Sequence, residues 1–297
     1  MAADGLTNSL PSRRRGLPTW ARTLLIYGSY WLAALFFVAP FLWAISGSLK
    51  NGYQVQQFPP QWIPDPIYWS NYLEIWQIVP LARFMGNTLI IALLSLAGQL
   101  LTASMVAYGF ARFRFPLRDP LFLVMLSTLM LPIHVTLIPR FVLFFKLGWI
   151  NTFLPLIVPA YFGGSAFAIF LLRQFFKNIP LEMDEAARID GAGYWRIFFT
   201  ILLPLSRSAL LALAILGFLA EWEDFLQPLI YLQSTEKLTI SVGLRFLATQ
   251  ATSDISGEPT THLLMAASIV AAIPPILLYI IAQRQLVQGL VLTGSKG

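Results

Sequence analysis

Phe84-Met-Gly-Asn-Thr-Leu-Ile-Ile-Ala-Leu-Leu-Ser-Leu-Ala-Gly-Gln-Leu-Leu-Thr-Ala-Ser-Met-Val-Ala-Tyr-Gly-Phe-Ala111 carries no charged side chain and is flanked by Arg83 and Arg112. About 20 apolar residues suffice for a helix to cross a hydrocarbon core of about 30 Å, so this run predicts a membrane span. Four further windows read the same way: Thr23–Leu49, Pro120–Pro139, Leu147–Leu172 and Pro259–Gln283. A sixth, Ser208–Leu232, is apolar until Ala220 and then carries Glu221, Glu223 and Asp224. The expected fold is all-α, a polytopic membrane protein with six transmembrane helices. Six spans place both termini on one side. Of the 20 Lys and Arg residues, 14 fall on the side that holds the termini and 6 on the other, so the termini are expected in the cytoplasm.

Composition agrees with lipid as the solvent of this chain. Of its 297 residues 57% are hydrophobic and 11% charged, with a mean hydropathy of +0.68. Soluble domains run at about 45–50% apolar and about 25% charged. That excludes a soluble enzyme or nucleic-acid-binding protein. The net charge of +6 therefore reads as asymmetry across a membrane, and no nucleic acid is expected as partner. Cysteine is absent, which excludes disulfides, thiolate metal sites and cysteine nucleophiles. Two histidines, His134 and His262, cannot build a histidine-rich metal centre. The first apolar window is too long for a signal-peptide core, and no small-residue cleavage site follows it.

The connections divide the chain further. Residues 1–21 form a basic cytoplasmic tail, 22–287 the six-helix transmembrane domain, and 288–297 a C-terminal cytoplasmic tail. The external stretch Gly47–Gly86 holds Tyr53, Trp62, Trp69, Tyr72 and Trp76 among prolines, either an interfacial aromatic belt or a docking surface. Gln233–Thr261 is a second external loop, polar in composition. Gly163-Gly164 and Pro274-Pro275 mark close packing and helix breaks inside spans. His134 and Asn87 read as interhelical hydrogen-bonding residues.

The most informative connection is cytoplasmic, 173–207. Its centre is Asn178-Ile-Pro-Leu-Glu-Met-Asp-Glu-Ala-Ala-Arg-Ile-Asp-Gly191. Pro180 suits a helix start, where its missing N–H costs nothing. Glu182, Asp184 and Glu185 follow near the positive end of the helix dipole, and Arg188 sits toward the other end. Gly191 suits the left-handed residue that stops the helix after Asp190. A helix of about ten residues is too short to be stable alone in water, so Leu181–Asp190 must lean on a partner. Ala186 and Ala187 provide a small-residue surface for close approach. An amphipathic stretch, Tyr194–Leu203, leads to Pro204 and the fifth span.

Seven identities in this loop follow one pattern: Glu185-Ala186-Ala187, Gly191, Ile201 and Leu203-Pro204. The chain resembles the permease subunits of binding-protein-dependent ABC importers in these residues, and within them the carbohydrate-uptake, maltose-type permeases. The run Phe170–Phe176 and the tail Gln288–Gly297 are similar to the same group. The resemblance implies that Leu181–Asp190 is a coupling helix seated in a cleft of a cytoplasmic ATPase. It implies two ATPase copies, a second homologous permease and an external sugar-binding protein, with Gln233–Thr261 reaching toward the latter, in a bacterial cytoplasmic (inner) membrane. No Gly-x-x-x-x-Gly-Lys-Ser/Thr loop occurs in this chain, so it holds no cofactor, and ATP and Mg belong to the partner ATPase.

One departure touches a candidate pathway. Relatives often carry Trp-Asn-acid-Phe near the outer end of the fifth span; this chain has Trp222-Glu223-Asp224-Phe225, with Glu221 before it. Glu221 and Asp224, three apart, are expected on one helix face and Glu223 elsewhere. Glu221, Glu223 and Asp224 either line a polar solute pathway or cap the helix in outside solvent. The alternative function is a self-contained secondary transporter or channel for a small polar solute. It predicts ion-coupling acids deep in the membrane or an internal repeat. A membrane enzyme would need a nucleophile with a base, or a metal cluster.

Overall fold

The computed structural model of the protein describes residues 19–252 and 259–294, with side chains described over 22–249 and 259–283. In chain order the helices are α1 (Thr19–Ser48), α2 (Gly52–Gln56), α3 (Asn71–Ile78), α4 (Leu81–Arg112), α5 (Arg118–Ser127), α6 (Ile133–Lys146), α7 (Leu154–Ile157) and α8 (Ala166–Asn178). They continue with α9 (Leu181–Ile189), α10 (Tyr194–Ile197), α11 (Leu203–Leu205), α12 (Arg207–Glu223), α13 (Leu226–Tyr231), α14 (Ile240–Thr252) and α15 (Thr261–Gly294). No strand occurs among the described residues. Four stretches are long and apolar enough to cross a bilayer: Arg22–Ser48, Leu81–Arg112, Leu154–Asn178 and Thr261–Gln283. Two bent pairs bring the number to six if each is one span: Arg118–Met130 with Ile133–Lys146, and Tyr194–Leu205 with Arg207–Glu223.

The bends fall in the third and fifth spans, and the sequence reading places breaks only in the fourth and sixth. Pro132 removes a backbone donor and holds Leu131 extended (φ −81°, ψ 113°). The third window accordingly folds as two helical pieces at 97°. The fourth window begins later than expected, at Leu154, because Gly148 and Asn151 both take positive φ in a turn. Asn is among the side chains that tolerate this region. Gly163 (φ +104°) and Gly164 (φ +57°) then part the turn Val158–Tyr161 from α8. Pro204 and Ser206 lie where the pieces of the fifth span meet at 75°, after a π-helical turn, Phe198–Leu202.

The opposite outcome holds at Pro274-Pro275, where α15 runs through without a break. Pro275 has no N–H for the carbonyl of Ala271. Trp222 of α12 supplies the missing donor: its buried indole Nε1–H bonds Ala271 O at 3.1 Å. A proline in a membrane helix is tolerated where a neighbour re-satisfies the backbone in this way.

α4 is the axis of the fold and crosses two separate cores. Leu81, Phe84, Ile91 and Ala92 pack with Ile75, Phe218, Trp222, Tyr231, Ile240, Leu247 and Ala267 in an outer core. Ala103, Ala107 and Tyr108 pack with Ala168, Leu172, Phe176, Ile197, Phe198, Leu202 and Leu213 in an inner core. α1 contacts chiefly α15, and its Leu24–Phe37 side chains are largely exposed, as suits a helix facing lipid or another subunit.

The segments expected outside are more ordered than loops. Asn51 and Gln54 form a reciprocal cap at the start of α2. Buried Lys50 donates to Gln61 O and lies 4.6 Å from the centre of the Trp43 ring. Burial depresses its ammonium below the usual lysine range. Tyr53, Trp62 and Trp69 remain exposed. Gln233–Thr261 is corrected from a loop to a docked element over much of its length. α14 buries Ile240, Val242 and Leu247 against the outer core. Asn87 Nδ2 donates to the carbonyls of Glu236 and Leu238, both at 2.9 Å. Helix α1 begins at Thr19, inside the stretch read as a tail, and α15 continues to Gly294, into the expected C-terminal tail. Residues 1–18 and 295–297 lie outside the described residues.

Candidate functional site

Two sites emerge, one at the C-terminal end of α4 and one at its middle. At the first, Pro180 stands just before α9, with Glu182 and Asp184 in the first turn and Arg188 in the last. The helix ends in paired bonds: Gly191 N–H to Arg188 O at 3.0 Å, and Ala192 N–H to Ala187 O at 2.9 Å. This is the Schellman arrangement, which needs a left-handed residue at Gly191 (φ +80°). A Cβ there would meet nothing within 4 Å, so backbone strain alone selects glycine. Asp190 is the capping residue and not part of the helix.

α9 is fastened to the membrane domain by a buried ion pair absent from the sequence reading. Arg112, the last residue of α4, places Nε 2.9 Å from Asp184 Oδ2, with the two side chains 3% and 5% exposed. Its Nη2 donates to Ile179 O at 3.0 Å. Asp184 Oδ1 is buried and accepts no hydrogen bond from a described residue. Around this pair Arg112, Arg114, Asp184, Glu185, Arg188 and Tyr194 line an open cleft of about 580 Å³. The Arg188 guanidinium lies 4.7 Å from the Tyr194 ring centre. The structure separates the two alanines that the sequence had placed together. Ala187 turns inward and packs on the inner core, while Ala186 is exposed. The 100° step of the helix puts residues 184 and 187 on the side facing α4. Ala186, Met183 and Ile189 lie outward, and Ile189 is 87% exposed with no cover.

At the second site the three acids of the fifth span part company. α12 ends at Glu223, and Asp224 is extended (φ −62°, ψ 119°), so Glu221 and Asp224 do not share a helix face. Asp224 accepts from the N–H (3.3 Å) and side-chain amide (2.9 Å) of Gln227, holding the turn into α13. Glu223 is exposed. Glu221 turns inward and accepts from Ser95 Oγ at 2.8 Å. Ser95 is 14 residues from Leu81 and 17 from Arg112 along α4. At about 1.5 Å per residue this is mid-helix. Glu221 therefore lies half-buried beside the middle of α4. It lines an open hollow of about 180 Å³ with Ser95, Gln99, Arg140, Ser165 and Gln227. Arg140 belongs to α6. It makes no hydrogen bond or ion pair among the described residues. The sequence signal was its position at the edge of an apolar window, next to Pro139. No group of three or more metal-ligating side chains occurs among the described residues.

Several long apolar helices, two of them bent pairs, around a polar hollow suit a component embedded in a membrane. The chain belongs to the family described as binding-protein-dependent transport system inner membrane component, which matches residues 99–291. It is a multi-pass inner-membrane permease subunit, a transport and not a catalytic component. Among curated proteins it is 34% identical to the sn-glycerol-3-phosphate transport system permease protein of Yersinia enterocolitica, over 94% of this chain and 97% of that one. It is 33% identical to the lactose transport system permease protein of Rhizobium radiobacter, over 93% and 96%. Among solved structures it resembles in fold a bacterial ABC transporter involved in the import of the acidic polysaccharide alginate, with a TM-score of 0.79 and 22% identity over 91% of this chain and 98% of that one.

Proposed function

We propose that the chain is one of two permeases of an ATP-driven ABC importer, passing a sugar or sugar-like solute across the cytoplasmic membrane by alternating access. Its six spans count each bent pair once, and both termini are cytoplasmic. The ATPase subunits, two copies, each take a coupling helix, and α9 is the one supplied by this chain. ATP and Mg are bound by those subunits, and an external binding protein delivers the solute. Relatives named for sn-glycerol 3-phosphate and lactose support a small hydroxylated solute. The observation that carries the coupling role is the contrast on α9. One face is locked to α4 through Arg112–Asp184, and the opposite face, with Ala186 and Ile189, is bare. A short helix held this way moves only with the membrane helices, and its bare face awaits a partner.

Glu221, packed against Ser95 beside the middle of α4, is the kind of acid that a channel would need. The test separates the two in liposomes containing a non-metabolised radiolabelled solute, the one retained by the binding protein. The importer reading expects accumulation only with both permeases, the ATPase, ATP and loaded binding protein. Solute flux through this chain alone would establish the channel.

A further inference from the structure

We propose that the hollow at mid-depth is a binding station for an uncharged, hydroxyl-rich solute, held between Glu221 and Arg140; this rests on the importer reading above. Its place supports a station and not a chance void. It lies between the outer and inner cores, where α4 presents Ser95 and Gln99 in place of core side chains. The end of α12 and the Gly164 break border it, and both are helix interruptions. Transporters commonly build solute sites near the bilayer midplane from discontinuous helices. A charged side chain at such depth is costly and tends to mark a pathway.

The chemistry of the walls selects the ligand class. Ser95 occupies one oxygen of Glu221, Oε1, and leaves the carboxylate further acceptor capacity. Arg140 presents donors with no partner among the described residues. Gln99 and Gln227 each offer a donor and an acceptor. A sugar or polyol hydroxyl is itself both donor and acceptor, so a vicinal diol satisfies an acid and a guanidinium together. One positive and one negative wall group sum to no net charge. An anion gains Arg140 and meets Glu221, and a cation meets the reverse.

The native chain has no cysteine, which makes thiol labelling direct. Q99C and S165C are introduced singly, with I273C as a lipid-exposed control, in the full importer reconstituted in vesicles. A membrane-impermeant anionic methanethiosulfonate is applied from each side, without nucleotide and after vanadate trapping with ATP. The expected result is labelling of Q99C and S165C but not I273C, from a side that switches with nucleotide state. Glycerol, glucose or lactose should slow it, and sn-glycerol 3-phosphate should not at equal concentration. Adding E221Q or R140Q should weaken the protection about tenfold, as for one hydrogen bond to a charged group. No labelling in either state, no protection by any of the three neutral probes, or protection by the phosphate alone overturns the station. ATP turnover stimulated by loaded binding protein, read on the same vesicles, reports the importer reading separately: its absence with protection intact sinks that reading and leaves the station standing.

Discussion

Gly191 and Asp184 show how single residues set the posture of α9. Because Gly191 holds φ +80° with open space around its α-carbon, any L side chain there costs about 1–2 kcal/mol of backbone strain, and a β-branched one more. Gly191→Val is expected to weaken ATPase retention on pull-down, while Gly191→Asn, which tolerates this region, retains most of it. Equal losses in both variants would show that strain at this residue is not what matters. Asp184 is bound by a stronger constraint. Removing one member of a buried ion pair costs about 3–5 kcal/mol, whereas replacing both with apolar groups is often neutral. Asp184→Ala should therefore lower the melting temperature of the detergent-solubilised chain. Arg112→Met with Asp184→Leu should recover most of it. A double variant no more stable than the single would remove the ion pair from the explanation. Gly191 was legible in the sequence because a helix stop needs a local residue type. The Arg112–Asp184 pair was not, because nothing local joins residues 72 positions apart; Arg112 read only as one more cytoplasmic charge.

At the scale of elements, proline illustrates why spans are easier to find than their breaks. Pro132 parts two helices by 97°, yet Pro139 lies inside α6 and Pro274-Pro275 inside α15. The residue type is the same, and at Pro275 a distant side chain takes the place of the missing donor. Trp222 donates to the carbonyl that Pro275 leaves without its N–H partner. Trp222→Phe should orphan that buried acceptor, at about 1–3 kcal/mol. Pro275→Ala should restore a backbone donor within α15, so the double variant is expected to melt above Trp222→Phe alone. Strict additivity of the two changes would show no coupling between indole and carbonyl. The six apolar windows were legible because charge-free length is a property of composition. The Glu221–Ser95 contact, across 126 positions, depended on where α12 stops. The sequence suggested one continuous helical face; the structure ends that helix at Glu223 and assigns Asp224 to the next turn.

For the whole molecule, two cores threaded by α4 leave a polar seam beside its middle and a fastened helix at its C-terminal end. α1 remains largely uncovered along Leu24–Phe37, which suits a membrane-spanning helix. The purified chain alone is expected to show no ATP turnover, since its sequence contains no phosphate-cradling loop. Hydrolysis that persists through stringent purification would contradict that. The central claim is that α9 carries ATP-driven closure into the spans, and its bare face offers the direct test. Ala186→Trp adds bulk to an exposed position, so folding and membrane insertion should be unaffected, while overpacking a close contact costs about 1–3 kcal/mol. The measurement is ATPase retained on pull-down together with ATP turnover stimulated by loaded binding protein, in membranes that hold the wild-type or Ala186→Trp chain at equal amounts. The expected result is loss of retained ATPase, of stimulated turnover, or of both. Full retention with full stimulation in Ala186→Trp would contradict the assignment of α9 as the coupling element.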